Sequence, residues 1–155
     1  MKNPELETLL DPHLVRCKLP ELDKNELLSE LVRLASDRLP GIEAGELHYV
    51  IAEREGMGPL PLGKGIAFCH ARTDRVPGLC IAICTCPGGV IDAMPPDDKP
   101  VRVGLLFLIP KGYSDLYTWA LSTLLRRLTR PEVMQGVLET EDPEEVVRIL
   151  CAAAG

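Results

Sequence analysis

Nine residues, Val101 to Ile109, limit most strongly what this chain can become. They read Val-Arg-Val-Gly-Leu-Leu-Phe-Leu-Ile and are closed by Pro110. A strand with one wet face alternates apolar with polar residues. This run does not, and so predicts a strand covered on both faces. Leu79 to Thr85 has the same character and ends at Pro87-Gly88-Gly89. Ile66 to Cys69 reads as a shorter buried strand entered through Gly63 and Gly65. Leu14 to Leu19 reads as a first strand broken by Pro20.

Between these runs the period changes to that of helices. Asp23-Lys24-Asn25-Glu26 forms a capping box, followed by Leu27, Leu28, Leu31 and Leu34 on one face. That helix is expected to run to about Arg38, before Pro40. A second helix is expected over Glu43 to Glu55, with Leu47, Val50, Ile51 and Arg54 at helical spacing and His48 off that stripe, in solvent. Gly56 to Gly63, with three glycines and two prolines, predicts a loop, and Asp92 to Pro100 a polar one. Ser114 opens a helix to about Arg130 carrying Leu121, Leu124, Leu125 and Leu128. Asp142-Pro143-Glu144-Glu145 starts a last helix, with proline at its first position. Alternating helices and apolar strands predict an α/β fold with a central mixed sheet and helices on both faces. At 155 residues the expectation is one domain over 1–155.

Charge and cysteine usage narrow the function classes. The net charge of −6 and the pI near 5.1 argue against sequence-independent nucleic-acid binding, which needs a basic surface. No apolar run reaches the roughly 18 residues of a membrane span, so no membrane insertion is expected. Met1-Lys2-Asn3-Pro4-Glu5 has no apolar signal core, and a cytoplasmic location with reduced cysteines follows as the expectation. Cys80, Cys84 and Cys86 share one strand face by period two and read as buried thiols. No cofactor and no metal is expected, although a thiol or metal site built from Cys69, His70, Cys84 and Cys86 stands as the distant alternative.

The stretch Gly63-Lys64-Gly65-Ile66-Ala67-Phe68-Cys69-His70-Ala71-Arg72 holds the candidate chemistry. A histidine at a strand end can project from a rigid scaffold into a loop-lined cleft, or can serve only as a backbone hydrogen-bonding partner. His13 and His48 stand in plain contexts. The pattern Gly-x-Gly-Ile-Ala, then His-Ala-Arg, preceded by Arg54-Glu55, resembles the fructose/mannitol class of enzyme IIA domains of the phosphoenolpyruvate:sugar phosphotransferase system. The nitrogen-regulatory enzyme IIA proteins belong to the same family. The similarity covers nearly the whole chain, from the Asp23-Lys24 leucine helix to the Asp142-capped terminal helix.

The resemblance implies a phosphorylatable histidine at His70, with Arg54 as the active-site arginine. Arg72, Gly63 and Gly65 are then candidate phosphate-binding positions. It implies a phosphoryl carrier fed by a histidine-containing phosphocarrier protein and discharging to an enzyme IIB partner in trans. The alternative is a regulatory module of the same fold, acting on a protein target by binding. The sequence departs from the family pattern at three places. Leu60 stands where a threonine is common, Cys69 replaces the proline before the histidine, and Leu116 or Tyr117 occupies the place of a second active-site histidine. Oligomeric state is not written in the sequence.

Overall fold

The computed structural model describes residues 5–55 and 59–153. Five strands form one mixed sheet: β1 (Val15–Arg16), β2 (Leu60–Gly63), β3 (Ile66–Arg72), β4 (Cys80–Thr85) and β5 (Val103–Ile109), in the order β1-β4-β5-β3-β2. β5 runs parallel to β3 and antiparallel to β4, while β1 pairs parallel with β4 and β2 antiparallel with β3. The three apolar runs thus share one sheet, as their composition predicts. All seven residues of β5 are buried.

Helices cover both faces. On one side lie α1 (Lys24–Arg38) and α2 (Ala44–Glu55), packed with Ala67, Cys69, Ala82, Cys84, Leu106 and Leu108 of the strands. On the other lie α3 (Ser114–Leu128), α4 (Pro131–Glu139) and α5 (Pro143–Ala152), packed with Ile66, Ile81, Ile83, Val103, Leu105 and Phe107. Strand alternation sorts neighbouring residues between the two layers. Among the described residues no helix is long and apolar enough to cross a membrane.

The helix starts follow their capping chemistry. Asp23 accepts from the Glu26 backbone N–H at 2.8 Å, and Glu26 accepts from the Asp23 N–H at 3.0 Å, completing the box. Glu43 lies just before α2, and its carboxylate accepts from the N–H groups of Gly45 and Glu46 at 2.9 and 2.7 Å. Asp142 accepts from the Glu144 N–H at 3.0 Å, with Pro143 opening α5.

Four expectations need correction. The first strand is only Val15–Arg16, because Pro12–Leu14 forms a 3₁₀ turn and Lys18 takes a positive φ of 53°. The helix from Ser114 ends at Leu128, and a separate α4 begins at Pro131, signalled in the sequence by that proline with Val133 and Val137 one turn apart. Part of the expected loop before the glycine-histidine stretch is strand: Leu60–Gly63 pairs at the sheet edge, where Pro61 without its N–H is tolerated. The rest of that loop, 56–58, lies outside the described residues. On α2, Leu47 and Ile51 are buried but Val50 is exposed, and His48 is half-buried with Nε2 inside rather than solvated.

Gly104 sets the distance between α1 and the sheet. A Cβ there would stand 2.8 and 2.9 Å from the two methyl carbons of Leu27, itself buried in the packed core. Gly104→Val is expected to destabilise the fold by about 1–3 kcal/mol through overpacking, read as a lower urea midpoint with unchanged slope. An unchanged midpoint would show that α1 is free to lift.

Candidate functional site

His70 is the fifth residue of β3 and lies in register with Phe107 of β5. Its neighbours Cys69 and Ala71 pack with the α1–α2 layer, and Phe68 with the α3 layer. Alternation therefore turns the His70 ring toward α3. The ring is half-buried, with Nδ1 shielded from solvent. Its centroid lies 5.7 Å from that of Tyr117, at 35°, and 6.3 Å from that of Phe68, at 16°. Tyr117 in turn meets the buried Phe107 edge-on, at 5.1 Å and 67°.

Arg72 follows two residues later on the same sheet face. It is exposed, and one guanidinium nitrogen donates to the Ser114 hydroxyl at 2.9 Å. Ser114 and Tyr117 are one turn apart at the start of α3. The first turn of that helix thus receives both Arg72 and His70. This cation beside the imidazole is what a negatively charged ligand needs, since charge-assisted hydrogen bonds to oxyanions are short and strong.

Arg54 is placed differently. It stands exposed in the last turn of α2, the helix covering the opposite sheet face. The register Leu60↔Phe68 brings the start of β2 to the His70 end of β3, so the chain leaving α2 arrives at this edge. The side chain of Leu60, at the threonine position of the resemblance, is 49% exposed and offers no hydroxyl.

Gly63 and Gly65 do not stand near the imidazole. They flank Lys64 in the β2–β3 turn with φ of 91° and 83°, at the other end of β3. Five residue steps along the strand separate Gly65 from His70, about 16 Å. The Lys64 N–H already donates to the Asp97 carboxylate at 2.7 Å, the main cause of the lowered Asp97 pKa. A phosphate at this turn would meet that negative charge. The glycines are turn residues, required by a left-handed backbone, and the length of β3 holds them apart from the imidazole.

This arrangement of one mixed sheet between two helical layers recurs in solved enzyme IIA structures. The crystal structure of nitrogen regulatory protein IIA-Ntr from Neisseria meningitidis superposes with a TM-score of 0.79 at 23% identity, covering 94% of this chain and 98% of that one. The Escherichia coli complex of enzyme IIA mannitol with phosphorylated enzyme IIB mannitol gives 0.73 at 20%, covering 93% and 98%. Residues 8–152 match the family described as phosphoenolpyruvate-dependent sugar phosphotransferase system, EIIA 2, and the chain belongs to that family. It is also similar to the fructose-specific EIIA component of Haloferax volcanii, 29% identical over 147 residues and 94% of each chain.

The cysteines are spent on the core. None of the six forms a disulfide, and Cys69, Cys84 and Cys86 are buried. Cys69 and His70 point to opposite faces of β3, so they cannot ligate one metal ion. Among the described residues no group of three potential ligands gathers. Burial first, and then the Glu30 charge, pushes the Cys86 thiol up to about 12. Burial likewise holds Cys84 well above its ordinary value of 9.0. Above pH 9 the unfolded chain releases these protons while the folded one retains them, so stability falls as pH rises from about 9 to about 12. Cys86→Val is expected to flatten that decline by up to about 1.4 kcal/mol per pH unit, read from urea midpoints at pH 8 to 11. An equal slope in both proteins would contradict it.

Proposed function

We propose that this chain is a phosphoryl carrier, taking phosphate on His70 from a histidine-containing phosphocarrier protein and passing it to an enzyme IIB partner. The observation that carries this reading is His70 itself, in a motif of the enzyme IIA family and turned toward the helix start that Arg72 reaches. A neutral imidazole is a good nucleophile near pH 7. In the first step the lone pair of Nε2 forms the new N–P bond as the donor N–P bond breaks, its electron pair returning to the donor imidazole. In the second, a nucleophilic side chain of the partner takes the phosphoryl group and His70 regains its lone pair.

The transition state is loose and spreads charge over three equatorial oxygens, so positive charge and positioning do most of the work. Arg72 supplies the first by exchanging Ser114 for a phosphoryl oxygen. Arg54 supplies a second cation once the partner closes over the β2 edge. A second reading, a regulatory module that binds its target in a phosphorylation-dependent way, is favoured by Leu60, whose apolar side chain replaces a hydroxyl beside Phe68.

Incubation with phosphoenolpyruvate, enzyme I and the phosphocarrier protein, followed by intact mass, tests the carrier reading. Acid-labile, base-stable modification is expected at His70 alone. His70→Ala should abolish the mass gain, while His13→Ala and His48→Ala retain it. Arg54→Ala and Arg72→Ala should each slow transfer, by as much as about 10²–10³-fold for loss of a preorganised charge donor, without unfolding the domain. Leu60→Thr should accelerate it. An unlabelled wild type, under conditions that label another enzyme IIA, would leave the regulatory reading in its place.

A further inference from the structure

This chain contains only two phenylalanines, three tyrosines and one tryptophan. Both phenylalanines and one tyrosine gather about His70. Phe68 lies nearly parallel to the imidazole at 6.3 Å, Tyr117 approaches it at 5.7 Å, and Phe107 backs Tyr117 edge-on at 5.1 Å. All three separations fall in the range where aromatic rings attract one another with directional preference. Phe68 stands two residues before His70 on the same face of β3, whereas Phe107 and Tyr117 come from β5 and α3, so the fold brings two of the three rings from distant parts of the chain.

We propose that Tyr117 is a positioning residue for His70, its ring closing with Phe68 an aromatic clamp that fixes the plane of the imidazole. The proposal rests on the carrier reading for its purpose but not for its geometry. An imidazole at a half-exposed strand end turns easily about its outer torsion, which is broad and nearly two-fold. In-line attack on phosphorus needs one ring plane and one nitrogen facing out. Phe107 is fully buried, so Tyr117 rests on a wall that cannot retreat. The clamp holds Nδ1 inward, where it is shielded, and keeps the opposite ring edge toward the site entrance. Arg72, tied to Ser114 one turn earlier, is registered to the same helix start. The proposal assigns this positioning to the ring of Tyr117, through its contacts with His70 and Phe107.

Tyr117→Phe and Tyr117→Leu separate the ring from the hydroxyl. Phosphorylation would be followed by single-turnover transfer from the phosphorylated phosphocarrier protein. The imidazole would be followed by long-range ¹H–¹⁵N spectra, which report tautomer and ring environment. Tyr117→Phe is expected to stay within about twofold of wild type and to keep the His70 signals. Tyr117→Leu is expected to lose at least about tenfold in rate and to move those signals toward an averaged tautomer. A Leu variant with unchanged rate and signals overturns the clamp, as does a Phe variant that loses as much as the Leu one. Should wild type accept no phosphate, the carrier reading fails while the imidazole spectra still decide the clamp. Should Tyr117→Leu not fold, Phe68→Leu removes the other ring of the clamp with the same expected loss, and wild-type rate and signals there overturn it.

Discussion

The structure depends on burying β5 from both sides. Its seven residues are all buried, with Val103, Leu105, Phe107 and Ile109 facing one helical layer and Leu106 and Leu108 the other. Gly104 leaves room for Leu27, so α1 lies close against the sheet. At about 25 cal/mol per Å² of apolar surface, burial of this kind is the main favourable term in folding. A strand so apolar is stable only inside, and this forces helices onto both faces. β3 and β4 then take the two sides of β5.

The candidate site is a consequence of that pairing. β3 runs parallel to β5, which sets His70 opposite Phe107. Both residues face the layer that contains α3, so Tyr117 can touch the two rings at once. The same alternation sends Cys69 the other way, into the core. One residue of register shift in β3 would exchange them, putting a thiol at the site and an imidazole among leucines. The strict apolar demand on the α1–α2 side, where Ala67, Cys69 and Ala71 are all buried, guards against that slip.

The edge beside β3 is irregular. β2 is short and contains a proline, and its pairing is irregular between Pro61 and Gly63. Such edges resist further pairing. Yet Leu60 and Leu62 are left exposed along it. An exposed apolar edge next to the half-buried His70 suits the proposed carrier role, in which the phosphoryl donor and acceptor are other proteins.

Much of this was legible in the sequence. The continuous apolar run 101–109 demanded a doubly covered strand, Asp23 and Glu26 marked a helix start, and the glycine-histidine pattern singled out His70 among three histidines. These are local signals of periodicity, capping and turn chemistry, and local physics fixes them. The sequence left α4 unseen although Pro131 marked it, and it read the edge strand β2 as loop because glycine and proline outweighed Leu60 and Leu62. It also set Gly63 and Gly65 close to the histidine, whereas the extended strand holds them at its other end. Strand alternation sets Phe68 beside the imidazole, but tertiary structure alone decided which residues from outside β3 reach it. Tyr117, with Phe107 behind it, arrives there only because strand pairing and helix packing join parts of the chain up to 47 residues apart, and no local rule records such a meeting.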